Sequence, residues 1–588
     1  MVKLKAVQVH AFVRAASYLY LILPVMIFFL GWCRWQVGVP AALILAVSFV
    51  LCFKEHKKKE YNQEEQNQKE QNKKEQNQKE QSKKRQDKKE SGQKDTAYFS
   101  ADIRKLAVIG IVVLVWTGLS GVGGYAWQNA DHPIRNELFV LLVEEKWPLV
   151  KAIAAGGAEP RGMVYYLGFW LPAAAAGKLF GLKAGWAAQY LWAAAGILLM
   201  YAWICIWRKK VIVWPLWIII FFSGLDAAGV LLFCRQELQV FGEPHLEAWA
   251  PYYQFSCMTT QLFWVFNQAV PAWLLAAVVF LGERPKNLCF LTSLTVLTST
   301  FPFVGMVPYV LYFMVSRSDW KGVCQNLRAF LKSCWGSWAS FQNIAGSAVT
   351  LFICGIYIAG NHAVRNSMPW LNNGRRLFLL LAAAALAGII LWLAAVCVLR
   401  GHGRLVFRTA LVLGILAVAA RFGRLPYADW QSPLFYWINL TLFYIVEAGV
   451  FLLVLYPAVE DKRLLLLNAA WLYIIPLILV GRSCDFCMRA SIPGLFLIML
   501  WCIHAVDTWM NKSGRYKKQL CLLLALLMIG AVTPLHEIKR SFVNTREPYE
   551  NRIAGEEEVL MGNNFSGSTA GFFWRCLAKP YDVKKQGE

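Results

Sequence analysis

Along most of the chain, apolar residues gather into runs of about 20, the length of a helix crossing a hydrocarbon core of roughly 30 Å. The first run, Ala15 to Cys33, follows Lys3, Lys5 and Arg14, and a second, Trp35 to Phe53, comes almost at once. That closeness predicts a retained two-span hairpin over residues 1–53 rather than a cleaved leader. From Leu106 onward the candidate spans are Leu106–Gly123, Ala184–Trp207, Val211–Phe233, Leu262–Leu281, Leu288–Thr298, Phe303–Val315 and Ile344–Gly360. They continue as Leu377–Leu399, Leu405–Ala420, Leu434–Tyr456, Leu464–Val480, Ile492–Met510 and Gln519–His536. The pieces flanking Phe301 are short, and Pro302 and Pro308 predict broken helices sheltered by protein. Met163–Phe180 is long enough to cross, but one extra crossing would reverse every later loop, so a re-entrant element or two short spans are expected there. The pattern predicts an all-α fold, a polytopic transmembrane helical bundle of about 15 spans.

Lys54 to Asp95 breaks the pattern. This stretch is a degenerate five-residue repeat of Gln, Lys, Glu and Asn carrying 14 basic and 10 acidic residues. It has almost nothing to bury, which predicts a solvated linker without chemistry of its own. Four regions follow: the hairpin 1–53, the charged linker 54–95, a multi-span domain 96–536, and a polar tail 537–588.

Composition agrees, with 57% hydrophobic and only 16% charged residues, too few to cover a soluble body. The net charge of +24 invites a nucleic-acid reading, but no basic patch with interleaved aromatics supports one. Retention of Lys and Arg in cytoplasmic loops explains the excess. Alternating spans place Arg208-Lys209-Lys210, Arg284 with Lys286, Arg317 to Lys332, Arg400 with Arg404, Lys462-Arg463 and Lys512 to Lys518 in the cytosol. Arg375-Arg376 fall outside and count against the register. The expected location is a cell membrane, with the N-terminus cytoplasmic and the tail external. The 15 cysteines are scattered through apolar runs and form no disulfide framework.

With the faces assigned, polar groups collect outside in Gly124–Arg161, Cys234–Gln261 and Gly481–Ser491. Asp131 lies just beyond a span, flanked by Trp127, His132 and Arg135, and an amphipathic stretch Glu137–Leu149 follows. A carboxylate at the lip of a bilayer can take a proton from an acceptor hydroxyl, while cations neutralise a leaving phosphate. The competing reading is a helix cap before Pro133. Glu243, His245 and Glu247 alternate, a spacing suited to a metal site or to simple solvation. Asp226 sits inside an apolar run, where an ionisable group is functional by default, though a hydrogen-bonded structural role near Gly224 competes. Cys484 and Cys487 form a lone CxxC without further ligands, and Asp485 can pair with Arg489 or leave Arg489 for a phosphate. Gly562–Gly571 lacks the Lys of a phosphate-binding loop and reads as a plain loop.

The segments WQNADHPIRN, YYLGFWLPAAAAGKLFG, FFSGLD, YQFSCMTTQLFWVFNQAVPAWL, DFCMRASIP and FFWRCLAKP, spread over residues 106–580, resemble the GT-C superfamily of integral-membrane glycosyltransferases. The resemblance implies transfer of a sugar from a polyprenyl-phosphate-type donor to a glycan, lipid or protein acceptor at the outer membrane face. It puts the catalytic acid at Asp131, the first external loop's acidic position. Many members carry a second acid beside the first, where this chain has His132. In this reading Trp127, His132, Arg135, His245 and Arg489 contact substrate. A divalent metal, Mg or Mn, is the candidate cofactor, with Asp131, Glu243 and Glu247 as candidate ligands. Membrane lipids are expected partners and nucleic acid is not. Two other classes compete: a transporter or flippase for lipid-linked or amphiphilic substrates, motivated by Asp226 and the broken helices, and a non-catalytic scaffold of envelope assembly.

Overall fold

The structure, a computed structural model, describes residues 2–53, 98–151, 160–234, 245–250, 253–317, 335–362, 433–478, 484–511, 516–546 and 565–581. The linker, Glu243, the spans expected at Leu377–Leu399 and Leu405–Ala420, and the Arg375-Arg376 and Arg400/Arg404 clusters lie outside these residues.

The chain is a mostly helical, membrane-embedded bundle. Among the described residues, nine helices are long and apolar enough to cross a membrane: Gln8–Trp32, Trp35–Phe53, Leu182–Trp207, Trp214–Leu232, Met258–Leu281, Gln342–Ala359, Ile438–Leu455, Ile492–Asn511 and Lys517–Asn544. Their outer faces stay apolar, as at Leu19, Leu43, Leu453 and Met528, all exposed. In water such a surface is a liability; against lipid tails it is the expected finish. The centre is Met258–Leu281, buried along nearly its whole length and carrying the buried polar groups Thr259, Gln261, Asn267 and Gln268. Backbone angles at Val265 leave the helical region (φ −138°, ψ 35°), and Pro271 lies one and a half turns on.

The two faces differ. On one, Arg208 pairs with Asp507, and Lys210 lies 3.7 Å from the same carboxylate. Nearby in kind, Glu283 accepts from Tyr18 and sits 3.9 Å from Arg14. Strands β1 (Val2–Lys5) and β2 (Tyr98–Ala101) pair antiparallel, bringing together the chain's start and the far side of the linker. On the other face, at the far end of Ala6–Trp32, Arg34 donates to the carbonyls of Ala578 and Arg575, each at 2.8 Å. There β3 (Val150–Lys151), β4 (Arg161–Met163) and β5 (Ser566–Ser568) form a three-stranded antiparallel sheet. Within the glycine-rich stretch, Ser566–Ser568 is thus a strand, with Gly567 backing onto the Gly360 carbonyl.

Four of the apolar runs take more particular shapes. Within Met163–Phe180 only Leu171–Phe180 is a long helix; its ten residues reach about 15 Å, short of a crossing. It breaks at Gly181 (φ +88°) into Leu182–Trp207. The pieces around Phe301 form a hairpin, Pro285–Ser293 and Thr300–Ser316, that returns to the face it left: Arg317 donates to the Glu283 carbonyl at 2.6 Å. Pro302, Leu291, Leu294 and Leu297 are buried, so neighbouring helices do shelter the break. The Val211–Phe233 run is interrupted between Trp214–Phe221 and Asp226–Gly229. At the C-terminal end the helix Val532–Asn544 runs past His536, with Glu537 buried.

Candidate functional site

The kink at Val265 is filled by the loop that precedes helix His132–Glu144 and by the first turn of that helix. Asn129 Nδ2 donates to the Phe263 carbonyl at 2.8 Å and His132 Nε2 donates to the same oxygen at 3.3 Å. Arg135 donates to the Trp264 carbonyl. Carbonyls at a helix break need donors when buried, and WQNADHPIRN supplies three from one loop. The loop is therefore clamped onto the central helix, which fixes where Asp131 stands.

Asp131 occupies the cap position of helix His132–Glu144, with Pro133 in the first turn, yet its side chain makes no capping bond. Its Oδ2 instead accepts from Arg135 Nη2 at 2.7 Å, and its side chain is 45% exposed. The cap reading of this carboxylate thus fails at the side chain, which faces outward. His132 behaves oppositely. It is buried, stacks on Phe266 at 5.6 Å, and burial together with the Arg135 charge pushes its pKa down to about 3. A neutral imidazole spent on a backbone carbonyl is part of the wall of the site.

Trp264 joins this loop to a second cluster. Its indole N–H donates to Glu537 at 3.1 Å, and its ring lies 5.4 Å from His245 and 5.3 Å from the Arg540 guanidinium. His245 Nδ1 donates to Glu537 at 3.0 Å, with its Nε2 3.6 Å from Glu247. Arg540 pairs with Glu537 at 2.6 Å and covers Trp127 at 5.2 Å. Glu247 accepts from the Cys257 N–H at 2.8 Å and from Gln254 at 2.9 Å. Burial draws the His245 pKa down, but the hydrogen bond it donates to Glu537 and the charges of Glu247 and Glu537 outweigh it, and the pKa goes up.

A histidine with a raised folded-state pKa stabilises the fold fully below its unfolded value of about 6.5 and loses that contribution as pH rises through the folded value. The melting temperature in detergent is therefore expected to fall from neutral to mildly alkaline pH. His245→Gln should flatten that slope; an unchanged slope counts against the assignment.

Arg489 belongs to helix Asp485–Ala490 and pairs with Asp485 at 3.2 Å. Burial lowers its pKa, but Tyr166, Asp485, Tyr165 and Asp131 overcome this and raise it, so the guanidinium stays charged within the field of Asp131. The Tyr165 hydroxyl is pushed well up by burial and by Tyr166. Cys484 and Cys487 are free thiols that donate to the side-chain and backbone oxygens of Gln254, at 3.3 and 3.4 Å. Reductant should leave the melting temperature unchanged, and thiol labelling of the denatured protein should find both of them free.

Asp131, His132, Arg135, Trp127, His245 and Glu247 thus gather around Trp264 and its contacts, with Arg489 coupled electrostatically to Asp131. Among the described residues no group of three His, Cys, Asp or Glu is arranged to hold a metal ion. Glu537, Arg540, Trp264, Gln254 and Tyr166 were not legible as site residues. The helical spacing of Glu537, Arg540 and Asn544 beyond the last apolar run was the one available signal. Beside Trp127, whose N–H donates to Thr545 at 2.9 Å, a mainly apolar cleft of about 400 Å³ opens between Leu114, Val115, Tyr125, Tyr190, Phe542 and Arg546. No protein-family model, curated protein or solved structure matches this chain.

Proposed function

We propose that the chain is an integral-membrane transferase of the GT-C type, passing a sugar from a polyprenyl-phosphate-type lipid to a cell-envelope acceptor at the outer face. The observation that carries this reading is the outward carboxylate of Asp131, free of capping and steered by Arg135. Asp131 takes the proton of the acceptor hydroxyl, and the acceptor oxygen attacks the anomeric carbon. The bond from that carbon to the phosphate oxygen breaks, and the phosphate leaves with the electron pair. Its added negative charge falls to Arg489 and Arg135, whose guanidinium groups suit phosphate oxygens. A divalent metal at Asp131 would supply the same neutralisation. The apolar cleft beside Trp127, rimmed by Arg546, is suited to the lipid's chain.

The test compares lipid-linked intermediates and envelope glycans from cells with and without the protein. A glycosylated polyprenyl phosphate is expected to accumulate in cells lacking it, and unchanged pools of both would sink the reading. Transport of an amphiphilic substrate is the second reading, favoured by the broken helix at Asp226. It predicts the same lipid accumulating on the inner leaflet only.

A further inference from the structure

We propose that the Asp226 and Glu447 carboxyls hold a single proton between them, forming a buried proton-binding site where a broken span meets a π-bulged one. This inference is independent of the role given to Asp131. Asp226 is 1% exposed and Glu447 2%. Asp226 follows directly on the interruption after Phe221, and Glu447 is the middle residue of the five-residue π turn Ile445–Gly449.

The donors around the two groups do not suffice for two carboxylates. Ser223 and Thr533 hydroxyls donate to Asp226 Oδ2 at 2.8 and 3.0 Å, and the Trp249 indole N–H donates to Glu447 Oε1 at 2.9 Å. Glu447 Oε2 is buried and receives no donor. It lies so close against Gly224 that a Cβ there would be 1.8 Å away. The two carboxyl groups are in hydrogen-bond contact with each other. Ionised carboxylates only accept, so a bond between them requires one O–H. Among the described residues no ion pair joins either group to a basic side chain.

The surroundings add negative charge. Glu247, fully buried, bears electrostatically on both groups, and its own nearest cation is His245 at 3.6 Å. The thiols of Cys257 and Cys487 are the other titratable neighbours. Loss of the proton leaves two like charges facing each other across the break, with no side chain at Gly224 to separate them. The packing of Gly530 against the Ser223 and Gly224 carbonyls, at 2.8 and 3.0 Å from a Cβ placed there, makes this break a joint between three spans. The bound proton therefore holds that joint closed.

Infrared spectra of the full-length protein in lipid nanodiscs, in H₂O and D₂O at neutral pH, read the proton directly. The wild type should show the C=O stretch of one protonated acid that is absent from both Asp226→Asn and Glu447→Gln. Because the proton is shared, each single variant should lose the same band, and the double variant should lose no more. The amides keep the hydrogen bonds, and thermal melting in the same nanodiscs verifies the fold. No acid band in the wild type, or losses that add in the double variant, would overturn the proposal. So would a sodium-dependent rise in melting temperature without the band, which would make the ligand a metal cation.

Discussion

Replacing Asp131 by Asn is expected to lower the proposed transfer by about 100- to 10,000-fold, the range of a lost general base, while leaving the fold intact. The reason lies in how the residue is held. Its side chain contributes no cap bond to helix His132–Glu144, so the helix start does not depend on its charge. Arg135 remains fixed through the Trp264 carbonyl, and an Asn oxygen still accepts from its guanidinium. Asn129 and His132 continue to fill the kink at Phe263. What disappears is the ability to accept a proton. The measurement is recovery of envelope glycans in cells whose only copy is the variant, with thermal melting of the purified protein beside it. Full recovery of the glycans removes Asp131 from the mechanism; a collapsed melting temperature would make its role structural.

Gly305→Ala is expected to cost about 1–3 kcal/mol in stability and to reduce activity with it. The new Cβ would lie 2.0 Å from the Ala490 carbonyl oxygen and 2.9 Å from its carbon. Backbone atoms cannot swing aside as a flexible side chain would, so helix Asp485–Ala490 must move away from the hairpin. That helix carries Arg489, whose guanidinium sits 5.9 Å from the Phe301 ring of the same hairpin. The displacement therefore reaches the proposed phosphate contact. Gly355→Ala is the control: nothing lies within 4 Å of its Cβ, and alanine is the better helix former. Melting temperatures of the two variants in one detergent separate the cases. Equal values would show that the hairpin has room for the methyl group.

Part of the site could be read directly. Asp131 and Arg135 stand four apart on a helix announced by Pro133, a spacing that makes side chains neighbours whatever the rest of the chain does. Asp485 and Arg489 pair for the same reason. Glu447 carried the signal that singled out Asp226, a lone acid inside an apolar run, and was legible by the same rule. Trp264 was not. An indole within Leu262–Leu281 looks like any aromatic of a span, and its importance comes from the kink one residue later. That kink frees carbonyls only because a distant loop supplies the donors for them.

The linker shows the opposite case. Its repeat predicts a solvated segment from composition alone, because Gln, Lys, Glu and Asn offer little surface to bury against the cost of ordering, and it lies outside the described residues. The short hairpin at Pro302 lies between the two. Its prolines announce broken helices, but that both legs return beside Glu283 follows from the Arg317 contact.

Membrane residence and helical class rest on the local order of residues. A run's length against the hydrocarbon thickness, and the need to satisfy backbone groups internally, decide both without reference to any neighbour. Which runs cross, which turn back, and which polar groups meet are settled by contacts between segments far apart in the chain. Asp226 meets Glu447, and Trp264 meets Arg135 and Glu537, because buried donors and acceptors must find partners once the helices pack. That pairing is a property of three-dimensional register, which hydrophobic periodicity along one strand of sequence does not contain.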